Sequence, residues 1–543
     1  MKQLSLLALL LGFTTLYLSA QVTFTNTLNA DFNKGIPENV LIKNDGLALP
    51  SKKSSINDWT STTNLPQNLT GHQTATWRSF VFLSGGNNGS VYNNFVYRAT
   101  INTTGISAWT QLNSLPDSVG FHAMVATSTK LYVIGGKKGS YVSNKIYVAT
   151  INDDGSIGTW SLSSVTLPQP LWGLRCELIN GFLYTTGGAN ETISALFNVY
   201  YAKIDAEDNI TGFTGTTSMP SPRNGHSMVK YNGKLYVLGG YNAIGVKKNT
   251  VYVSTINPNG TCGAWSTATP LPMLICNHVS TCSNGIITVI GGEDETILSN
   301  KFYFADVDNS PAFTWELSDR YLYDRTKNAA AFAGDNQVVY TGGTNLSGSA
   351  VNSIRYAALN PSADKVKKGI YLSLPFFVGS PKNIQKLTYT ITTQTGDSWE
   401  LLYRLAGADK IWGDWITAGT SNPAMINQTR SYIQYMFRFL ANSTNDIVLS
   451  DLTMTVSGYT QLCGSLDAMT TLTTAASPYW ATCNITFSTG THTIRPGVTI
   501  YFSPNTGLEV GQASVNFAGT TSQPVKLSFY DVQDGMWNGV YFK

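Results

Sequence analysis

The sequence predicts an all-β chain whose centre is a closed ring of six four-stranded blades, with further strand-rich modules on either side. Three observations lead there. An apolar strand ending in two glycines recurs six times at near-equal steps. Each unit then carries a Tyr and, in all but the last, a second aromatic at set offsets, and a piece shaped like the missing last strand stands before the first unit. The composition agrees, since only 12% of residues are charged, 12% are aromatic and 49 are glycine, which suits short strands and tight turns. A length of 543 residues leaves room for about three or four domains, at about 150 residues each.

Residues 1–20 hold one lysine, an uncharged apolar run from Leu4 to Leu18, and then Ser19 and Ala20. This reads as a secretory signal cut near Ala20, although bulky Leu18 departs from the small-x-small rule. No later stretch reaches the 18 apolar residues of a membrane span. The mature protein is therefore expected to be secreted or held at the cell surface, with no transmembrane span. A net charge of +3, spread without a Lys/Arg cluster, implies neither nucleic acid nor anionic membrane as partner. Six cysteines could all pair in an oxidising compartment. Cys463 and Cys483 lie far from the other four and are expected to pair with each other; the pairing of Cys176, Cys262, Cys276 and Cys282 stays open.

The first glycines of the six pairs are Gly85, Gly135, Gly187, Gly239, Gly291 and Gly342, at steps of 50, 52, 52, 52 and 51 residues. Tyr97, Tyr147, Tyr200, Tyr252, Tyr303 and Tyr356 follow in a second apolar strand, and then come Trp109, Trp160, Phe213, Trp265 and Trp315, most with a Leu-Pro or Met-Pro behind them. The sixth unit lacks its downstream aromatic, but Trp59 and Leu65-Pro66 in "DWTSTTNLP" supply one ahead of the first. If that segment completes the last blade, the ring closes over residues 56–362 and leaves no free sheet edge. Paired glycines allow positive φ and close backbone approach, as blades packed around an axis require. These marks resemble kelch repeats, and the resemblance covers all six units. It implies a six-bladed kelch-type β-propeller, a scaffold that serves binding platforms, sugar-processing enzymes and structural proteins alike.

His72, His122, His226 and His278 each stand thirteen residues before the first glycine of their unit, where the other two units have Leu174 and Ala329. That homologous position starts the innermost strand, so these rings are expected near the channel or its mouth, and imidazole suits Zn, Cu or Fe. The competing reading is structural, with the ring bracing one blade on the next. Opposite blades stand too far apart to share an ion that needs about 2.0 to 2.1 Å to each nitrogen. No Tyr-His pair exists, which sets the chain apart from enzymes resembling galactose oxidase, and Gly155 lies five residues before Trp160, unlike a sialidase Asp-box. No cofactor or metal is implied. His72, His122, His226, His278 and Arg223 are the candidate ligand contacts at the channel mouth. Glu293, Asp294 and Glu295 offer hard oxygen for Ca²⁺, or are simply solvated. The loops after the double glycines share one rim, where binding usually resides.

Residues 22–50 fall outside the repeat and read as two or three short strands, while 367–458 alternates in the manner of a β-sandwich. Phe32, Gly35, Asn39 and Val40, with Tyr432, Ile433, Gln434, Tyr435 and Leu440 far downstream, resemble the opening and the late part of a jelly-roll-like module of bacterial surface proteins. That resemblance implies one sandwich interrupted by the ring; the alternative is an N-terminal strand pair packed on it. Trp412 and Trp415 could stack on sugar if exposed, but alternation puts them on opposite faces of a regular strand. In residues 460–543, Ile494, Pro496, Gly497, Val498, Thr499, Ile500 and Phe502 resemble the opening run of a right-handed parallel β-helix, with too few coils for a stable solenoid, so the sequence is expected to be part of a longer protein. The functional expectation is an extracellular binding or adhesion protein whose rim loops take a glycan or protein ligand. The alternative is a carbohydrate-active enzyme, on the propeller or further along the helix.

Overall fold

The double glycines are where the blades join. In the computed structural model, the second glycine of every pair donates its N–H across the seam to a carbonyl of the next blade: Gly86 to Val119, Gly136 to Leu171, Gly188 to Arg223, Gly240 to Ile275, Gly292 to Thr326 and Gly343 to Leu69, at 2.7 to 2.9 Å. At Gly135 φ is +63°, and a Cβ there would stand 2.7 Å from the Leu171 carbonyl oxygen, so both backbone conformation and neighbour demand glycine.

The structure describes residues 20–26, 36–38, 41–43, 46–49, 51–529 and 540–542, apart from 296, 321, 323–325, 335, 366–367, 442–446, 467–469, 475–476 and 503–505. Residues 1–19 of the expected signal, and Phe32, Gly35, Asn39 and Val40, lie outside the described residues. Among those described there is no α-helix.

Six antiparallel sheets form the ring, their first strands being Gln73–Trp77, Ala123–Ala126, Arg175–Ile179, Ser227–Tyr231, Val279–Ser283 and Ala330–Gly334. These strands touch one another in order around the axis, the last against the first. Closure comes from upstream: Thr60–Ser61 pairs with the sheet of blade 6, Thr60 opposite Tyr356 and Ser61 opposite Arg355, and Trp59 packs edge-on against Phe302 and Tyr340. Between blades, Trp160, Trp265 and Trp315 each donate the indole N–H to a carbonyl of the blade before, at Asn113, Thr217 and Thr269. Leu65, Leu115, Leu167, Met219, Leu271 and Leu322, ahead of or in the Leu-Pro turns, are all buried.

The other strands belong to one sixteen-stranded hydrogen-bonded sheet, curled around its own apolar core of Leu401, Ile433, Phe437, Leu449 and Val456 among others. The expected sandwich of residues 367–458 is thus a single curled sheet. Its strands Phe376–Thr392, Ala424–Leu440 and Val448–Leu466 run long and bend at register shifts, such as that between Phe377 and Lys382, so one strand serves both faces. Strands from before the ring pair with strands from after it: Ala20–Asn26 and Gly46–Ala48 with Val448–Leu466, and Ile36–Glu38 with Lys368–Leu372. Beyond Thr460 the pairing turns parallel, Tyr479–Ile494 lying against Thr499–Phe502 and Leu508–Phe517, with Ile485, Phe487, Ile494, Val498, Ile500 and Phe502 turned into a shared interior. Cys463 and Cys483 are disulfide-bonded across the first parallel pair, whereas Cys176, Cys262, Cys276 and Cys282 are in no disulfide.

Candidate functional site

The four repeat histidines are fully buried, and each Nε2 is engaged with a hydroxyl of the preceding blade. His72 meets Thr341 Oγ1 at 2.8 Å, His122 meets Ser84 Oγ at 2.8 Å, His226 meets Thr186 Oγ1 at 3.0 Å and His278 meets Ser227 Oγ at 2.8 Å. Three of those hydroxyls stand immediately before a double glycine. The two seams without histidine have isoleucine there, Ile134 and Ile290, and Leu174 and Ala329 opposite, so polar meets polar and apolar meets apolar. Burial pushes His72 down to about 4 and His122 and His278 to about 3, and holds His226 well below its ordinary value, so the rings are neutral near pH 7.

This corrects the expected role of these residues. A ring without accessible surface cannot touch a ligand at the mouth, and its position is that of a brace between blades. Arg223 is corrected in the same way: it is 1% exposed and donates to Ser221 Oγ, the Pro222 carbonyl, Thr250 Oγ1 and Tyr252 Oη, stacked 4.9 Å over the Tyr252 ring. It pins the turn leading into blade 4.

Around the channel mouth, the residues just before the inner strands form a collar. Gly71, Phe121, Gly173, Gly225, Asn277 and Asn328 all have φ between +52° and +68°. Five links of the collar are main-chain hydrogen bonds: Gly71 N–H to Asn328 O, Phe121 to Gly71, Gly173 to Phe121, Asn277 to Gly225 and Asn328 to Asn277, at 2.6 to 2.9 Å. At the sixth, Gly225 N–H donates instead to Asn224 Oδ1, and no main-chain N–H among the described residues reaches the Gly173 carbonyl.

Outside the collar stand the loops after the double glycines, and each lifts an apolar side chain into solvent four to six residues beyond the first glycine. These are Val91 (58% exposed), Tyr141 (56%), Ile193 (44%), Ile244 (83%), Ile297 (43%) and Leu346 (60%). Five of the six loops are held open by side chains three residues after that glycine: Asn88 Oδ1 accepts from Ser90 and Val91 N–H, Asn190 from Thr192 and Ile193, Asn242 from Ile244 and Val246, Asp294 from Ile297, and Asn345 from Ser347 and Ser349; in blade 2 Lys137–Lys138 pairs with Tyr141–Val142 instead. A folded turn thus fixes an apolar tip where a collapsed loop would hide it. Sequence reading missed this crown, though its signal was present as an apolar residue near the sixth place after the first glycine in most units.

The acidic loop is largely spoken for, since Glu293 is ion-paired with Lys247 and Lys327. Trp412 and Trp415, candidates for sugar stacking, are both buried at the opposite rim. There they flank Arg404, each ring centroid 4.8 Å from the guanidinium carbon, and Trp415 Nε1 donates to Asn180 O in a turn of blade 3. They stand in the loop between Ser398–Ala406 and Ile416–Gly419, where strand alternation does not apply, and both rings serve the joint between ring and curled sheet.

A family model described as the KLHDC2/KLHL20/DRC7 Kelch-repeats domain matches residues 173–362. No curated protein matches the chain. Among solved structures, one described as "Structure of YjhT" is 15% identical, with a TM-score of 0.45, over 55% of this chain and 100% of that one. The centre of this chain is thus a closed six-bladed β-propeller, and its residues 173–362 match a kelch-repeat model.

Proposed function

We propose that the chain is an exported, cell-surface binding protein whose free rim grips a protein partner. The observation that supports this most directly is the crown: six loops on one rim each present an exposed apolar residue, five of them on a turn capped by a side chain. Kelch propellers as a class support an interaction role. Between the two ligands expected from sequence, the crown favours protein over glycan. Five of the six tips are aliphatic, which suits an apolar patch on another protein, whereas sugar rings are held on flat aromatic faces and only Tyr141 offers one among the tips. The curled sheet and the parallel strands after it serve as the mount that carries the ring, and adhesion is the use that such a mount fits. The leader-like start supports export.

The test compares the wild-type chain with one in which Val91, Ile193, Ile244, Ile297 and Leu346 are all changed to Ser, on arrays of extracellular proteins and of glycans. Selective protein binding that falls at least tenfold in the variant, with an unchanged circular dichroism spectrum, is the expected result. Binding confined to glycans, or equal for both chains, overturns it.

A further inference from the structure

The channel wall at the seam of blades 3 and 4 carries a charge that no carboxylate answers. Arg175 opens the inner strand of blade 3 and reaches across the seam, its Nε donating to the His226 carbonyl at 2.9 Å. Protein surrounds it on all sides, yet it keeps partial solvent contact, as a group lining an internal channel does. Its charge lowers the basicity of His122, His226 and His278, on three different blades, which places the guanidinium near the axis. Burial alone depresses its own basicity, to about 10. No ion pair to Arg175 occurs among the described residues. Lys230 of blade 4 crosses the same seam the other way, its Nζ donating to Leu178 O at 2.6 Å. Glu177 shares Arg175's face by strand alternation and has contacts of its own. This stretch of wall thus carries two cations and one carboxylate.

The break in the collar falls at this seam. Gly173 and Gly225 are the two residues left unlinked, and Arg175 lies two positions after the first. We infer that the channel holds a small oxyanion, a single carboxylate, phosphate or sulfate group, on the Arg175 guanidinium beneath the break in the collar. An enclosed guanidinium with no carboxylate beside it is costly, and an oxyanion offsets that cost with charge-assisted hydrogen bonds to the terminal nitrogens, which the His226 contact leaves out. The site stands independently of the rim reading.

Calorimetric titration of the whole chain with sodium acetate, phosphate and sulfate tests it, with thermal unfolding in the same salts against chloride at equal ionic strength. One saturable site per chain is expected, with a matching rise in Tm, and the tightest of the three anions names the group. Arg175→Gln should weaken binding at least tenfold, while Lys138→Gln, an exposed rim lysine, leaves it unchanged. Arg175→Lys, which keeps the charge and loses the planar fork, gives a second reading where the glutamine variant does not fold, and weaker binding is expected there too. Absence of saturable binding to the folded wild-type chain by all three anions overturns the inference, as does affinity unaltered by Arg175→Gln or Arg175→Lys.

Discussion

The two rims of the ring are built from the same repeat and end differently. On the rim that meets the curled sheet, around blades 3 to 5, turns that resemble surface loops in sequence are covered. Asn180, Gly181 and Phe182 lie under Arg404 and Trp415, Lys368 Nζ donates to Asp308 O, and Ile179, Leu235 and Ile256 share a core with Leu372, Leu402 and Met436. On the other rim the apolar tips face solvent. The difference is that this chain covers the apolar groups of one rim itself and leaves those of the other in solvent.

The largest way to separate the rims is acid, because the buried histidines sit just beneath the free rim. Their folded-state pKa values are lowered, so the unfolded chain takes up protons first as pH falls. Stability is complete above about pH 6.5 and is lost between there and about pH 4, where His72 alone costs about 3 kcal/mol. His122, His226 and His278, whose basicity is lowered too, add to the loss in the same direction. Hydrogen exchange followed from pH 7 to pH 4 should show the seams of blades 1, 2, 4 and 5 losing protection before the curled sheet does. Protection lost first at the seams lacking histidine would contradict the assignment.

Next in size is Gly135→Val, which forces a β-branched residue into positive φ against the Leu171 carbonyl; a loss of about 3 kcal/mol in urea unfolding is expected. Gln434→Leu acts on the covered rim. Gln434 Oε1 accepts from Arg404 Nε at 2.9 Å and Nη2 at 2.6 Å, and its removal leaves a buried cation short of its acceptor, at about 2 kcal/mol. The smallest effect belongs to Ile244→Ser on the free rim, which should change stability by less than about 0.5 kcal/mol. A large destabilisation there would mean that the tip packs on its own ring and is no docking surface.

Much of the ring was legible because its constraints are local and repeated. Six copies of Gly-Gly mark six seams, and the displaced Trp59 segment announces how the circle closes. The histidines were found by the same periodicity, but their role was not, since it depends on a residue one blade back; the alternation of Ser84, Thr186 and Thr341 with Ile134 and Ile290 held that information in a place that reading each unit singly does not compare. Arg175 occurs in one blade only, so no repeat exposes it. The curled sheet was harder still. Strands of up to nineteen residues bend at register shifts, and Trp412 and Trp415 stand in the loop between Ser398–Ala406 and Ile416–Gly419, where period-2 counting does not apply.

The chain enters and leaves the ring side by side, where Ser51–Ile56 runs antiparallel to Ile354–Lys365, Ile56 opposite Leu359 and Ser51 opposite Lys365. Tension between the segment before Ser51 and the segment after Lys365 therefore meets this neck at one end and opens it pair by pair from Ser51 and Lys365 toward Ile56 and Leu359. The six wedges lie beyond the neck, so a load on the flanking strands reaches them only after the neck has opened.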